Sequence, residues 1–68
     1  MILQGRAKRE GKGLFLDRRH VDSAPAAKEH VAFLERYGWR FEWAEVISDA
    51  GQVTARYDGR IWSRRGAP

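Results

Sequence analysis

Hydrophobic and polar positions recur along the chain with two different periods. Ala27, His30, Val31, Leu34 and Tyr37 stand three and four residues apart, which places them on one face of a helix. Lys28, Glu29, Glu35 and Arg36 mostly fall on the other side. Asp22 and Ser23 supply the N-cap, Pro25 suits a first turn, and Gly38 stands where a left-handed residue ends a helix. Just downstream the period changes to two. Trp39, Phe41 and Trp43 alternate with Arg40, Glu42 and Ala44, the pattern of a strand buried on one side. Val46 and Ile47 extend this strand to a turn at residues 49–51. Residues 53–57 read as a second strand, and after Asp58-Gly59 residues 60–64 return as a third.

Upstream of the helix the pattern is weaker. Residues 14–21 read as a strand that alternates poorly, with Met1, Ile2 and Leu3 as its hairpin partner. The connection, residues 5–13, holds Gly5, Gly11 and Gly13 beside Arg6, Lys8, Arg9 and Lys12, and reads as a mobile basic loop. Residues 66–68 read as a frayed tail. The predicted order is β-β-α-β-β-β, a single small α+β domain with one helix packed on an antiparallel sheet of four or five strands.

Two registers are open for the last hairpin. A two-residue turn at Asp58-Gly59 pairs Tyr57 with Arg60 and Ala55 with Trp62, and puts all three tryptophans under the helix with Phe41 and Ile47. A three-residue loop pairs Arg56 with Arg60 and turns Trp62 to the opposite face, because one residue of slip reverses every side chain. The first buries more aromatic surface and is favoured on that ground.

Composition narrows the class. A 68-residue chain buries only about 60% of the surface its unfolded form exposes. Cysteine is absent, which removes disulfides, thiolate metal sites and cysteine nucleophiles together and fits a reducing, cytoplasmic setting. No apolar run approaches the roughly 18 residues of a membrane span, and the first residues do not form a signal-peptide core. A two-domain enzyme, a disulfide scaffold and a membrane span are excluded.

Charge is distributed unevenly. Residues 1–20 carry a net +4, residues 21–50 a net −3 and residues 51–68 a net +3, so two basic ends flank an acidic middle. Ten of the thirteen basic residues are arginine, whose planar fork suits phosphate and carboxylate. If the two ends meet in space, Arg6, Lys8, Arg9, Lys12, Arg18 and Arg19 pool with Arg56, Arg60, Arg64 and Arg65 in one cationic patch.

Candidate chemistry is sparse. His20 and His30 are the only histidines, and neither stands in a nucleophile or metal arrangement. The glycines lack the spacing and the Lys-Ser/Thr of a phosphate loop, and no nucleophile elbow occurs. Phe33-Leu34-Glu35-Arg36-Tyr37-Gly38-Trp39-Arg40-Phe41, followed by a hairpin, resembles the helix–glycine–tryptophan–strand opening of HicA-type toxins. That resemblance implies a double-stranded-RNA-binding-like fold and RNA cleavage by a histidine in the strands after the helix. No histidine follows His30, and residues 1–21 precede the helix, so the activity does not transfer to this chain.

The expected role is therefore binding without catalysis, cofactor or metal. The leading expectation is contact with a nucleic-acid backbone through the basic N-terminal loop and the Arg-rich final hairpin, with Trp62 as a stacking candidate. The alternative is a small regulatory or inhibitory protein of phage or mobile-element type that binds an acidic protein surface or a host protein, or pairs with itself through an edge strand.

Overall fold

The computed structural model describes residues 1–11 and 13–64, with residues 13–17 described through their backbone. Strands β1 (Ile2–Arg9) and β2 (Gly13–His20) precede helix α1 (Ala24–Arg36), and β3 (Arg40–Ile47), β4 (Val53–Tyr57) and β5 (Trp62–Arg64) follow it. The five strands form one antiparallel sheet in the spatial order β2-β1-β3-β4-β5. β1 is antiparallel to both of its neighbours, so β2 and β3 run parallel on either side of it. α1 is the crossover that carries the chain between them.

The helix ends where its capping residues dictate. Ser23 Oγ accepts the Ala26 N–H at 3.2 Å, and Pro25 occupies the first turn, where its missing N–H costs nothing. At the other end Gly38 takes φ 93°. The N–H groups of Gly38 and Trp39 then donate to the carbonyls of Glu35 and Leu34 at 3.1 and 3.2 Å, the paired bonds of a Schellman motif. Ala27 and Val31 are buried beneath the helix and Leu34 is half-buried. Tyr37, expected on the same face, is 59% exposed and packs on Phe33 at the flank of the helix instead.

The basic connection is shorter than its glycines suggest. β1 continues through Gly5 to Arg9 and β2 begins at Gly13, so Arg6, Lys8 and Arg9 are strand residues. Pairing with β2 on one side and β3 on the other overrides the weak strand preference of that segment.

β3 also departs from strict alternation. Arg6 pairs with Trp43, but the next residue, Ala7, pairs with Phe41, so Glu42 is a β-bulge. Phe41, Ala44 and Val46 consequently face the helix, whereas Trp43, Glu45 and Ile47 face the other way. The expectation that Trp43 and Ile47 lie under the helix is corrected by this one extra residue. A second irregularity at Thr54 turns Val53 outward opposite Ile47.

The core consists of Leu3, Ala7, Ala27, Val31, Phe41, Ala44, Val46, Ala55 and Tyr57, closed at its rim by half-buried Met1, Val21, Ala24, Leu34, Trp39 and Trp62. In the last hairpin Tyr57 pairs with Trp62, across a loop of residues 58–61. That register lies two residues from the favoured one and so keeps its outcome: Trp62 stays on the helix side, stacked on Tyr57 at 4.9 Å.

Gly5 makes the bulge possible. A Cβ there would lie 2.9 Å from the Trp43 carbonyl oxygen and 3.0 Å from both Ala44 Cβ and Phe41 Cε2. Gly5→Ala is expected to cost about 1–3 kcal/mol, as overpacking does. At about 4–8 °C per kcal/mol for a domain this size, thermal melting would show a clear drop in Tm. An unchanged Tm would mean that the strands relax around the methyl group at no cost.

Candidate functional site

One helix covers one face of the sheet, and the opposite face is open. Because side chains alternate, β1 presents Gln4, Arg6 and Lys8 on that open face, and β2 presents Arg18 and His20. β3 adds Arg40, Trp43 and Glu45, and β4 adds Arg56. A polar ladder crosses four strands. Arg56 Nη1 donates to Glu45 Oε2 at 2.6 Å, Gln4 Nε2 donates to Glu45 Oε1 at 3.1 Å, and Arg18 Nη1 reaches Gln4 Oε1 at 3.4 Å.

Trp43 lies within this cationic surface. Its cross-strand partner is Arg6, and the Arg56 guanidinium sits 5.8 Å from its ring centroid. One step along, Lys8 stands directly opposite Arg40. Like charges in that position repel, and a sheet selected for stability alone avoids them. No carboxylate among the described residues pairs with Arg6, Lys8 or Arg40.

The remaining predicted residues are dispersed. Arg9 faces the helix side and lies over the Trp39 ring at 5.9 Å. Arg19, also on that side, meets His30 Nδ1 at 3.2 Å. Arg60 belongs to the loop 58–61, and Arg64 lines a cleft with Trp62 and Lys28, whose Nζ is 5.7 Å from the Trp62 ring. Lys12 and Arg65 lie outside the described residues, as do residues 66–68, the expected frayed tail. The basic N-terminal strands and β5 do not meet: β3 and β4 separate β1 from β5, three strand spacings of about 4.8 Å each. The single patch expected from the two ends is thus divided, with Arg6, Lys8, Arg18 and Arg56 on the open face and Arg9, Arg19, Arg60 and Arg64 elsewhere. Trp62, half-buried against Tyr57, is not on that face. Trp43 and Arg40 are, and sequence reading missed both. Unbroken alternation assigns Trp43 to the core, and charge summed along the chain counts Arg40 with its acidic middle.

A cleft of about 380 Å3 opens at the end of the sheet, between the start of β3, the C-terminal end of α1 and the loop 58–61. Glu35, Trp39, Arg40, Asp58 and Arg60 are on its walls. Asp58 Oδ1 accepts the backbone N–H groups of Ile61 at 2.9 Å and Arg60 at 2.8 Å, which hold its carboxyl below the usual range. Tyr57 donates its hydroxyl proton to Glu35 Oε2 at 2.8 Å. Gly59 takes φ 94°, and a Cβ there would stand 2.5 Å from the Phe41 carbonyl oxygen, so the loop lies directly on β3.

Among the described residues no three His, Asp or Glu side chains are grouped to hold a metal ion, and no helix is long and apolar enough to cross a membrane. His20 and His30 project from opposite sides of the sheet, His20 beside Ile2 on the open face and His30 from the helix.

Burial, reinforced by the bond to the Glu35 carboxylate, pushes the Tyr57 hydroxyl up to about 12 from an ordinary 10.0. The folded state therefore keeps a proton that the unfolded chain releases near pH 10. The stability that this bond contributes is complete below pH 10 and is lost as pH rises from about 10 to about 12. Denaturant titrations at several pH values should show that decline, and Tyr57→Phe should flatten it. An equal slope in the variant would assign the effect to other groups.

Comparison with protein-family models, with curated proteins and with solved structures returns no match. The short likeness around Gly38-Trp39 thus extends to no family, and two strands stand ahead of the helix.

Proposed function

We propose that this chain is a non-enzymatic binding module that holds single-stranded nucleic acid across the open face of its sheet. The observation that carries the reading is the outward-facing Trp43 between Arg6 and Arg56, beside Lys8 and Arg40, which have no carboxylate partner among the described residues. An indole and a guanidinium both offer planar surfaces on which bases stack, and the surrounding cations neutralise phosphates. The open face has no helix to enter a major groove, and α1 carries Glu29 and Glu35, so a duplex reader is disfavoured. The Lys8–Arg40 opposition supports the reading from the energetic side. A polyanion laid over both would turn a repulsive pair into a bridged one.

Fluorescence anisotropy with a labelled oligothymidylate tests this. Affinity should fall log-linearly with salt, with a slope of about −0.7 for each phosphate neutralised. Replacing Arg6, Lys8 and Arg40 together by glutamine should reduce the magnitude of that slope by about 2. Trp43→Ala should cost about 1–3 kcal/mol, the range for one stacked base. Glu45→Gln, which releases Arg56 and removes a carboxylate, should tighten binding. Affinity insensitive to all three changes would remove the proposal.

A second reading, a partner strand added to the sheet, rests on β2. It is eight residues long, and no described strand pairs along its outer edge. Light scattering on the pure protein separates the two: a concentration-dependent dimer with no salt-dependent oligonucleotide binding would favour β2 pairing.

A further inference from the structure

The cleft at the end of the sheet combines groups that no simple anion or cation satisfies. Two acidic residues, Glu35 and Asp58, and two arginines, Arg40 and Arg60, line one space of about 380 Å3, yet no ion pair within 4 Å joins them. A lone phosphate would meet the carboxylates, and a lone ammonium would meet the guanidiniums. The chemistry that fits is a planar group with donors on one edge and a negative charge elsewhere.

We infer that this cleft takes a guanine nucleotide, as the base-reading end of the nucleic-acid face, on which its biological sense rests. Guanine presents N1–H and an exocyclic amino group side by side, two donors at the spacing of a carboxylate's two oxygens. The Glu35 carboxylate is held in place at the cleft wall. Its Oε2 is tied to the Tyr57 hydroxyl at 2.8 Å, and a carboxylate has lone pairs enough to accept further bonds at both oxygens. Trp39 lines the same cleft as an aromatic neighbour for the base, and Arg40 and Arg60, also in the lining, supply the positive charge a nucleotide phosphate needs. Arg40 also faces Lys8 on the open sheet surface, so the cleft and that surface share a residue. Adenine offers an acceptor at N1 and a donor at its amino group, and therefore meets the carboxylate with one bond and one repulsion.

The test uses guanosine and adenosine 5′-monophosphate, followed by the Trp39 indole and Gly59 amide resonances of the full chain. Guanosine monophosphate should shift both signals and bind about tenfold more tightly than the adenosine nucleotide, the discrimination of one good paired contact. Glu35→Gln replaces two acceptors by one acceptor and one donor, so the preference should vanish or invert toward adenosine. Arg60→Gln should weaken both nucleotides alike. Glu29→Gln removes an exposed carboxylate from the same helix outside the cleft and should leave both affinities unchanged, while undisturbed dispersion of the remaining amide resonances shows that Glu35→Gln keeps its fold. Equal affinity for the two nucleotides, shifts outside the cleft, or arginine amide binding as tightly as guanosine monophosphate would overturn the assignment. Salt-dependent oligothymidylate binding that survives such a result would leave the sheet-face reading standing alone. Selective guanosine binding without oligothymidylate binding would do the reverse.

Discussion

A helix about 10 Å wide is asked to cover a sheet of five strands, about 19 Å across, and it can dry only one side. The architecture follows from that limit. Beneath α1 the sheet is built from small residues, Ala7, Ala44 and Ala55 among them, while Phe41, Tyr57 and Trp62 fill the space toward β5 and the room at Gly5 is taken by Phe41, Trp43 and Ala44 of β3. Everything directed away from the helix must tolerate water. Arg6, Lys8, Arg18 and Arg56 do so readily, whereas Trp43 does so at the expense of burial it would otherwise gain. Its place there is fixed by the bulge at Glu42, and the bulge in turn depends on the absent side chain of Gly5.

Charge on the open face follows a different logic from charge elsewhere in the molecule. Glu45 binds Arg56 and Gln4, and its side chain is only 16% exposed, so this pair forms part of the fabric of the sheet. Lys8 and Arg40 oppose one another, and no carboxylate among the described residues pairs with either. At a separation of several ångströms in high dielectric that repulsion is on the order of 1 kcal/mol, a noticeable fraction of what a small domain has to spare. Local stability does not account for the arrangement, and the polyanion proposed above would offset it. The same contrast separates Trp43 from Trp62. Trp62 stacks on the buried Tyr57 and completes the core rim, so its cation, Lys28, adds to packing that already exists.

Much of the fold is legible in the sequence because its signals are local. Ser23, Pro25 and Gly38 mark the helix, and the period-two run after Trp39 marks β3. The hairpin at Asp58 tolerates an error in register because the true pairing differs by two residues, and an even shift leaves every side chain on its own face. The candidate site is less legible because its causes are not local. The bulge at Glu42 is visible only once β1 is paired with β3, and without it Trp43 reads as core. Arg6 to Arg9 read as a loop because of their glycine-rich surroundings, yet they occupy a strand with a neighbour on each side. Charge summed along the chain misleads for the same reason: the sheet sorts residues by parity and strand order, so Arg40 joins Lys8 while Arg64 is carried to the far edge.

The start of β3 ties the core, the open face and the cleft together. Phe41 points inward and its carbonyl supports the loop at Gly59, so the seat of that loop is a core residue's own backbone. Arg40, one position earlier, points outward opposite Lys8 and reaches the rim of the cleft. Glu42, one position later, is the extra residue that turns Trp43 onto the open face. Three consecutive residues thus fix the depth of the core, the placement of the outward-facing, half-buried indole and the shape of the cleft. A change that removes the bulge alters all three at once, whereas Arg60 or Glu35 can be altered in the cleft without moving Trp43. This difference makes the two surfaces separable by mutation even though one strand positions them both.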